Sequence, residues 1–187
     1  TGNFAVEILG KRLLSCPTAF AESWRRCKQG LGESAAASES DVDAARRAMA
    51  QATGDDRENQ TREATAATVV GAWLKRVADR LATEIEGIDA AVTGLGLDAR
   101  KALVDQDPKA DARFATLTTL IDTLLRNGSA WRDDERLVLF TEYKTTLDYL
   151  LRRLRERYEP GRILTLYGGL DELSRDDVKT AFNDPAH

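Results

Sequence analysis

The sequence predicts a predominantly helical chain with a truncated α/β part towards its C-terminus. Three observations predict it. Through the first two thirds of the 187 residues, apolar side chains recur every three or four positions. After Trp131 that period gives way to two short continuous apolar runs, Arg136-Leu-Val-Leu-Phe-Thr-Glu-Tyr143 and Ile163-Leu-Thr-Leu-Tyr167. Between the runs lies one stripe of helical spacing, so they read as the strands of a right-handed parallel βαβ unit, each buried on both faces. The organisation is then a helical region over 1–105, with 33–63 mobile or weakly packed, and an α/β part over 106–187.

The helices follow in order. Phe4, Ile8, Leu9 and Leu13 recur on a first helix. Pro17 suits the first turn of a second, where its missing N–H costs nothing. Phe20, Trp24, Cys27 and Leu31 form the apolar stripe of that helix, and Gly30 and Gly32 close it. From Glu33 to Glu63 the chain turns to Ala, Ser and charge, with eight acids and four arginines. Ser40 and Asp43 have the spacing of a capping box, and a helix over 41–52 would bury only Val42, Ala45 and Met49. Gly54-Asp55-Asp56 reads as a turn. A long helix follows from about Arg62 to Val92, its seam made by Val70, Trp73, Val77, Leu81, Ile85, Ile88 and Val92. Gly94 and Gly96 end it.

Asp98 is placed to cap a short helix through Val104, and Asp107-Pro108 opens a further one carrying Phe114, Leu117, Ile121 and Leu124, stopped by Asn127-Gly128. Thr145 with Asp148 signals the start of the helix between the two apolar runs, whose stripe is Leu147, Leu150, Leu151, Leu154 and Tyr158. Ser174 with Asp177 signals a last helix carrying Val178 and Phe182. Two parallel strands alone leave edges exposed and bury themselves poorly, so the α/β part reads as cut short.

Composition narrows the function. Lys and Arg number 27 against 31 Asp and Glu, a net charge of −4 without a basic excess in either part, so nucleic-acid binding by bulk charge is excluded. No apolar run approaches the roughly 20 residues that span a bilayer, and the start has no signal-peptide core. Cys16 and Cys27 cannot build a disulfide framework, which points to the cytoplasm. The single histidine, His187, excludes a histidine-dependent triad, and no Cys-x-x-Cys offers a zinc site. The cysteines read as packed side chains. Asp55-Asp56, Asp133-Asp134 and Asp176-Asp177 read as solvated charges rather than acid–base pairs. There is no phosphate loop of the form G-x-x-x-x-G-K-S/T and no acidic pair after a strand to hold magnesium. Arg152, Arg153, Arg155 and Arg157 read as a solvated helix face, with a phosphate-facing patch as the alternative.

The segment RLVLFTEYKTTLDYL at 136–150, then YGGL at 167–170, Ser174-Arg175 and Ala181-Phe182, resembles the opening of the second RecA-like lobe of a Swi/Snf-type helicase-like ATPase. The branch it is most similar to is the bacterial HepA-like, RNA-polymerase-associated and defence-island helicases. Asp107-Pro108-Lys109 resembles the segment that opens the helix before this lobe, and NFAVEILGKRLLSCPTAFAESW resembles the helical stretch between the lobes; 33–95 matches nothing in the family.

The resemblance implies a fragment of an ATP-dependent helicase or translocase, with ATP and magnesium bound by other parts of the parent. The fragment itself would have no catalytic residue, cofactor or metal and no ATPase activity. It implies nucleic acid as partner, in the double-stranded DNA form, with RNA polymerase or a defence complex as protein partner, and no membrane. Ligand sites of parallel α/β sheets lie beyond the carboxyl ends of the strands. There Thr141 and Lys144, Gly168 and Gly169, and Arg175 near a helix start are the candidate nucleic-acid contacts. A simple turn is the other reading of the glycine pair. The competing function is a non-catalytic helical interaction module that docks or dimerises through the 70–92 seam.

Overall fold

The computed structural model describes residues 2–51, 54–97 and 101–184. Its first helices are α1 (Gly2–Ser15) and α2 (Pro17–Leu31), joined by Cys16, whose Sγ accepts the Ala19 N–H at 3.3 Å as the cap of α2. On α1, Phe4 is buried and Ile8 and Leu9 pack against the same cluster. Leu13 is exposed and Arg12 is buried in its place. Helical geometry is the reason: at about 100° per residue, the nine steps from Phe4 to Leu13 end on the opposite face.

Helix α3 (Glu39–Ala50) starts two residues earlier than the sequence predicts, because the capping box is Ser38 with Asp41 rather than Ser40 with Asp43. Its buried face is thin, with Val42 and Ala45 inside and Met49 half-buried. Helix α4 (Asp56–Leu74) is capped by Asp55, which accepts the Arg57 N–H at 2.8 Å. It crosses α2 at close range, and the reason is a glycine on each helix. A Cβ at Gly30 would lie 2.6 Å from the Ala72 nitrogen, and one at Gly71 would lie 2.9 Å from the Cys27 Cα. Gly30 is therefore a packing residue and not a helix stop. Around the crossing Trp24, Cys27, Ala66 and Val70 form the main core.

The long helix from 62 to 92 is not continuous. A 3₁₀ stretch, Lys75–Leu81, separates α4 from α5 (Ala82–Gly94). The break lets Val70 and Trp73 on one side, and Ile85, Ile88 and Val92 on the other, pack into one cluster with α1 and α2. These seam residues are thus used inside the chain. After α5, Gly96 adopts a left-handed φ of +79° and turns the chain as predicted. Asp98 lies outside the described residues, and Leu103–Asp105 form a 3₁₀ turn.

Helix α6 (Ala112–Leu125) begins at Asp111, whose Oδ1 accepts the Phe114 N–H at 3.0 Å, and not at Asp107-Pro108. Past it, β1 (Arg126–Asn127) pairs antiparallel with β2 (Ala130–Trp131) through a two-residue turn at Gly128, φ +62°. Helix α7 (Lys144–Arg157) packs on α6 through Phe114, Ile121, Leu154 and Tyr158, and α8 (Glu172–Asn183) follows.

The predicted parallel strands are not formed. Residues 136–142 and 163–167 are not in regular secondary structure, and among the described residues β1–β2 is the one sheet. Leu137 and Ile163 both pack on the α6–α7 cluster, whereas Val138, Phe140, Leu164 and Leu166 are exposed. The two runs are thus covered on one side only. A two-stranded parallel ladder with one bare face and two bare edges buries too little to offset the cost of ordering it. The chain is predominantly helical, and among the described residues no helix is long and apolar enough to cross a membrane.

Candidate nucleic-acid interface

The start of α7 is the centre of the surface that carries the candidate residues. Tyr143 occupies the N-cap position and makes no side-chain cap, in contrast to the expected Thr145–Asp148 signal. Asp148 instead accepts a hydrogen bond from the Lys144 ammonium. The first turn of α7 thus combines the positive end of a helix dipole with a lysine and lacks an acid. Lys144 Nζ stands 5.2 Å from the centre of the Tyr167 ring.

Tyr167 leads into Gly168 and Gly169, and Arg175 of α8 donates from Nη2 to the Gly168 carbonyl at 2.5 Å. Asp171 holds α8 in place by accepting the Ser174 N–H at 2.9 Å; these Ser174 hydrogen bonds keep its carboxyl below the usual range. Lys144 thus lies beside Tyr167, and Arg175 reaches the carbonyl of the next residue, Gly168. Gly169 follows directly, with its Cα facing the Tyr167 ring edge: a Cβ there would lie 3.2 Å from it. Thr141 is tied elsewhere, its hydroxyl donating to the Tyr143 carbonyl at 3.4 Å.

The glycine pair is not open to solvent on every side. A Cβ at Gly168 would lie 3.0 Å from the Gly54 carbonyl oxygen and 3.3 Å from Asp56 Oδ1, so Gly54 and the first residue of α4 sit on it. Asp56 Oδ2 and Arg175 Nε are both buried and without hydrogen-bond partners. Sequence reasoning missed Asp56 here, because nothing local in it signals a contact with residues 112 positions away.

The arginine group of α7 is engaged with its own chain. Arg152 binds Asp107 at 2.5 Å and Glu156 at 2.9 Å. Arg153 donates to the Tyr149 hydroxyl at 2.6 Å and lies 3.9 Å from the centre of the Phe114 ring. Arg157 binds Asp122 at 3.0 Å; that hydrogen bond is the main reason the Asp122 carboxyl is held below its ordinary range. Tyr149, wholly buried, donates to Asp111 Oδ2 at 2.6 Å, and burial followed by that bond drives its phenol far above its ordinary value. This network clamps α7 to α6 and to the segment before it. It fixes the helix whose first residue is Lys144, and of the four arginines only Arg155 is left as a plain exposed side chain.

A second connection ties α7 to the helical region. Arg12 pairs with Glu63 and lies 3.8 Å from the centre of the Tyr143 ring, and Ser15 and Thr146 share a hydrogen bond of 2.5 Å. Burial pushes the Glu63 carboxyl up despite the arginine beside it. A cavity of about 330 Å³ borders Arg12 and Arg26, but also Glu22, Glu63 and Asp148, a balance of charge unsuited to a phosphate. Among the described residues no three His, Cys, Asp or Glu side chains group to hold a metal ion.

Compared with known proteins, the chain matches no family model, no curated protein and no solved structure.

Proposed function

We propose that the chain belongs to an ATP-dependent nucleic-acid motor of the Swi/Snf type and supplies contacts to the phosphate backbone of duplex DNA, with ATP hydrolysed by other parts of the parent. In this reading residues 136–143 and 163–167, unpaired in this structure, become the first two parallel strands of a RecA-like lobe once other strands of the parent cover them, with α7 as the crossover helix. The observation that carries it is the surface at the uncapped start of α7, where Lys144 lies against Tyr167 and Arg175 holds the carbonyl of the next residue, Gly168. Two cations, a helix N-terminus and a side-chain-free backbone segment are the parts that phosphate recognition uses. The ordered motifs FTEYKTTLDYL, YGG and Ser174-Arg175 supply the rest of the support.

Fluorescence anisotropy with a labelled DNA duplex tests it. The chain should bind weakly, with affinity falling as salt rises. Lys144→Ala and Arg175→Ala should each weaken binding and reduce the salt slope by about one. Affinity indifferent to either substitution would overturn the assignment.

A further inference from the structure

We propose that the Gly54–Asp56 turn is a built-in competitor for the DNA backbone: the Asp56 carboxylate takes the position beside Gly168 and Gly169 that a phosphate would take, and the turn has to lift before DNA binds. The inference rests on the reading of this surface given above and adds its regulation.

The contact has the form of an anion seated on a glycine pair. Gly168 is close to both the Gly54 carbonyl oxygen and Asp56 Oδ1, and Gly169 to Asp56 Oδ2, at 3.9 Å from where its Cβ would be. A carboxylate presents two oxygens with shared negative charge, as the non-bridging oxygens of a phosphodiester do. The two anions therefore repel each other at this spot as well as compete for its space.

The closed arrangement is also incomplete. The Asp56 Oδ2 is buried without a hydrogen bond, and Arg175, which donates from Nη2 to the Gly168 carbonyl, has its Nε buried and unpaired. Buried polar groups are normally satisfied, and leaving two of opposite charge unpaired weakens the state that contains them. Lifting the turn returns Asp56 to water and uncovers Gly168, whose carbonyl Arg175 holds. The turn is thus held by close backbone packing without a finished ion pair, which suits a cover that must come away.

The test uses the full chain and a labelled DNA duplex, with anisotropy recorded over a series of salt concentrations. Asp56→Asn keeps the shape of the side chain and removes its charge, and Asp55 still caps α4. This variant should bind about threefold more tightly or better, as expected when a closed form that excludes the ligand is depopulated. Glu86→Gln, on the exposed side of α5, removes the same charge far from the surface and should leave affinity unchanged. Adding Arg175→Ala to Asp56→Asn should abolish the gain.

If Asp56→Asn binds no better than the native chain, or no better than Glu86→Gln, while Arg175→Ala still weakens binding, the competitor is refuted and the DNA surface stands. If no variant binds, or Arg175→Ala changes nothing, the surface falls and the competitor with it.

Discussion

Replacing Gly71 by alanine is the sharpest test of the helical core. In an isolated helix the change is favourable by about 1 kcal/mol, because glycine is the poorer helix former. Here the new methyl would lie 2.9 Å from the Cys27 Cα and 2.6 Å from its carbonyl carbon, with the oxygen nearer still. Carbon atoms pack comfortably at roughly 3.5–4.0 Å, so α2 and α4 would have to separate by about 1 Å along their whole crossing. Backbone has no rotamer with which to yield. Overpacking of this kind costs typically 1–3 kcal/mol, and the upper end applies when the obstacle is main chain. Setting about 3 against about 1 leaves a net loss of about 2 kcal/mol, a fall in Tm of about 4–8 °C for a chain of this size. Gly87→Ala on α5 is the matched control, since nothing lies within 4 Å of its Cβ position. It should keep the gain of up to about 1 kcal/mol. Thermal melts followed by circular dichroism at the helix band read both. If Gly71→Ala melts at or above the native temperature, the helices do not meet at these glycines and the core described around Cys27 and Val70 is wrong.

Two further outcomes follow from ionisation. The Asp122 carboxyl is held below its ordinary value, first by the Arg157 hydrogen bond, so the unfolded chain binds its proton at higher pH than the folded one. The stability it contributes is complete above 3.8, the ordinary value, and is lost as pH falls through the lower folded value. Asp122→Asn should therefore lower the urea midpoint at neutral pH, with the gap to the native chain closing on acidification; a gap that ignores pH would refute the assignment. Burial pushes both thiols up, that of Cys27 to about 12, so a thiol reagent at mildly alkaline pH should label neither cysteine until denaturant is added. Rapid labelling of either one in the native chain would contradict the packing.

Much of the helical region was legible because its information is local. The apolar stripe of α2, the turn at Gly54-Asp55-Asp56 and the stops at Gly94 and Gly96 are read from spacing and backbone preference alone. What failed depended on partners distant in sequence. Arg12 is buried because Glu63 and Tyr143 come to meet it, and no pattern on α1 announces them. Gly30 matters because Gly71 faces the same crossing, a fact that exists only once α2 and α4 are packed. The seam from Val70 to Val92 was real as a pattern, but its spacing did not announce the 3₁₀ stretch that divides it into α4 and α5. The hairpin after α6 had a local signal, the Gly128-Ser129 pair that forms its two-residue loop, whereas Asn127-Gly128 was read only as a helix stop. In the candidate interface, Lys144 and Arg175 were legible from the motif; their contacts with Tyr167 and the Gly168 carbonyl, and the acid lying over Gly168, were not.

The α/β part fails in a more informative way. Continuous apolar runs mark strands that need cover on both faces, and the runs at 136–143 and 163–167 have that character throughout. In the structure Leu137 and Ile163 reach the core under α7, while Phe140 is 94% exposed and Leu166 53%. Surfaces that stay in water are rarely written as neighbouring Val, Phe and Leu, because each exposed apolar side chain forgoes burial worth about 1.5–3 kcal/mol. The pattern therefore records a demand for a second covering layer, and the fold meets half of it. The backbone behaves accordingly: neither run forms a regular strand and no ladder joins them, since strand pairing and two-sided burial stabilise each other and neither forms alone.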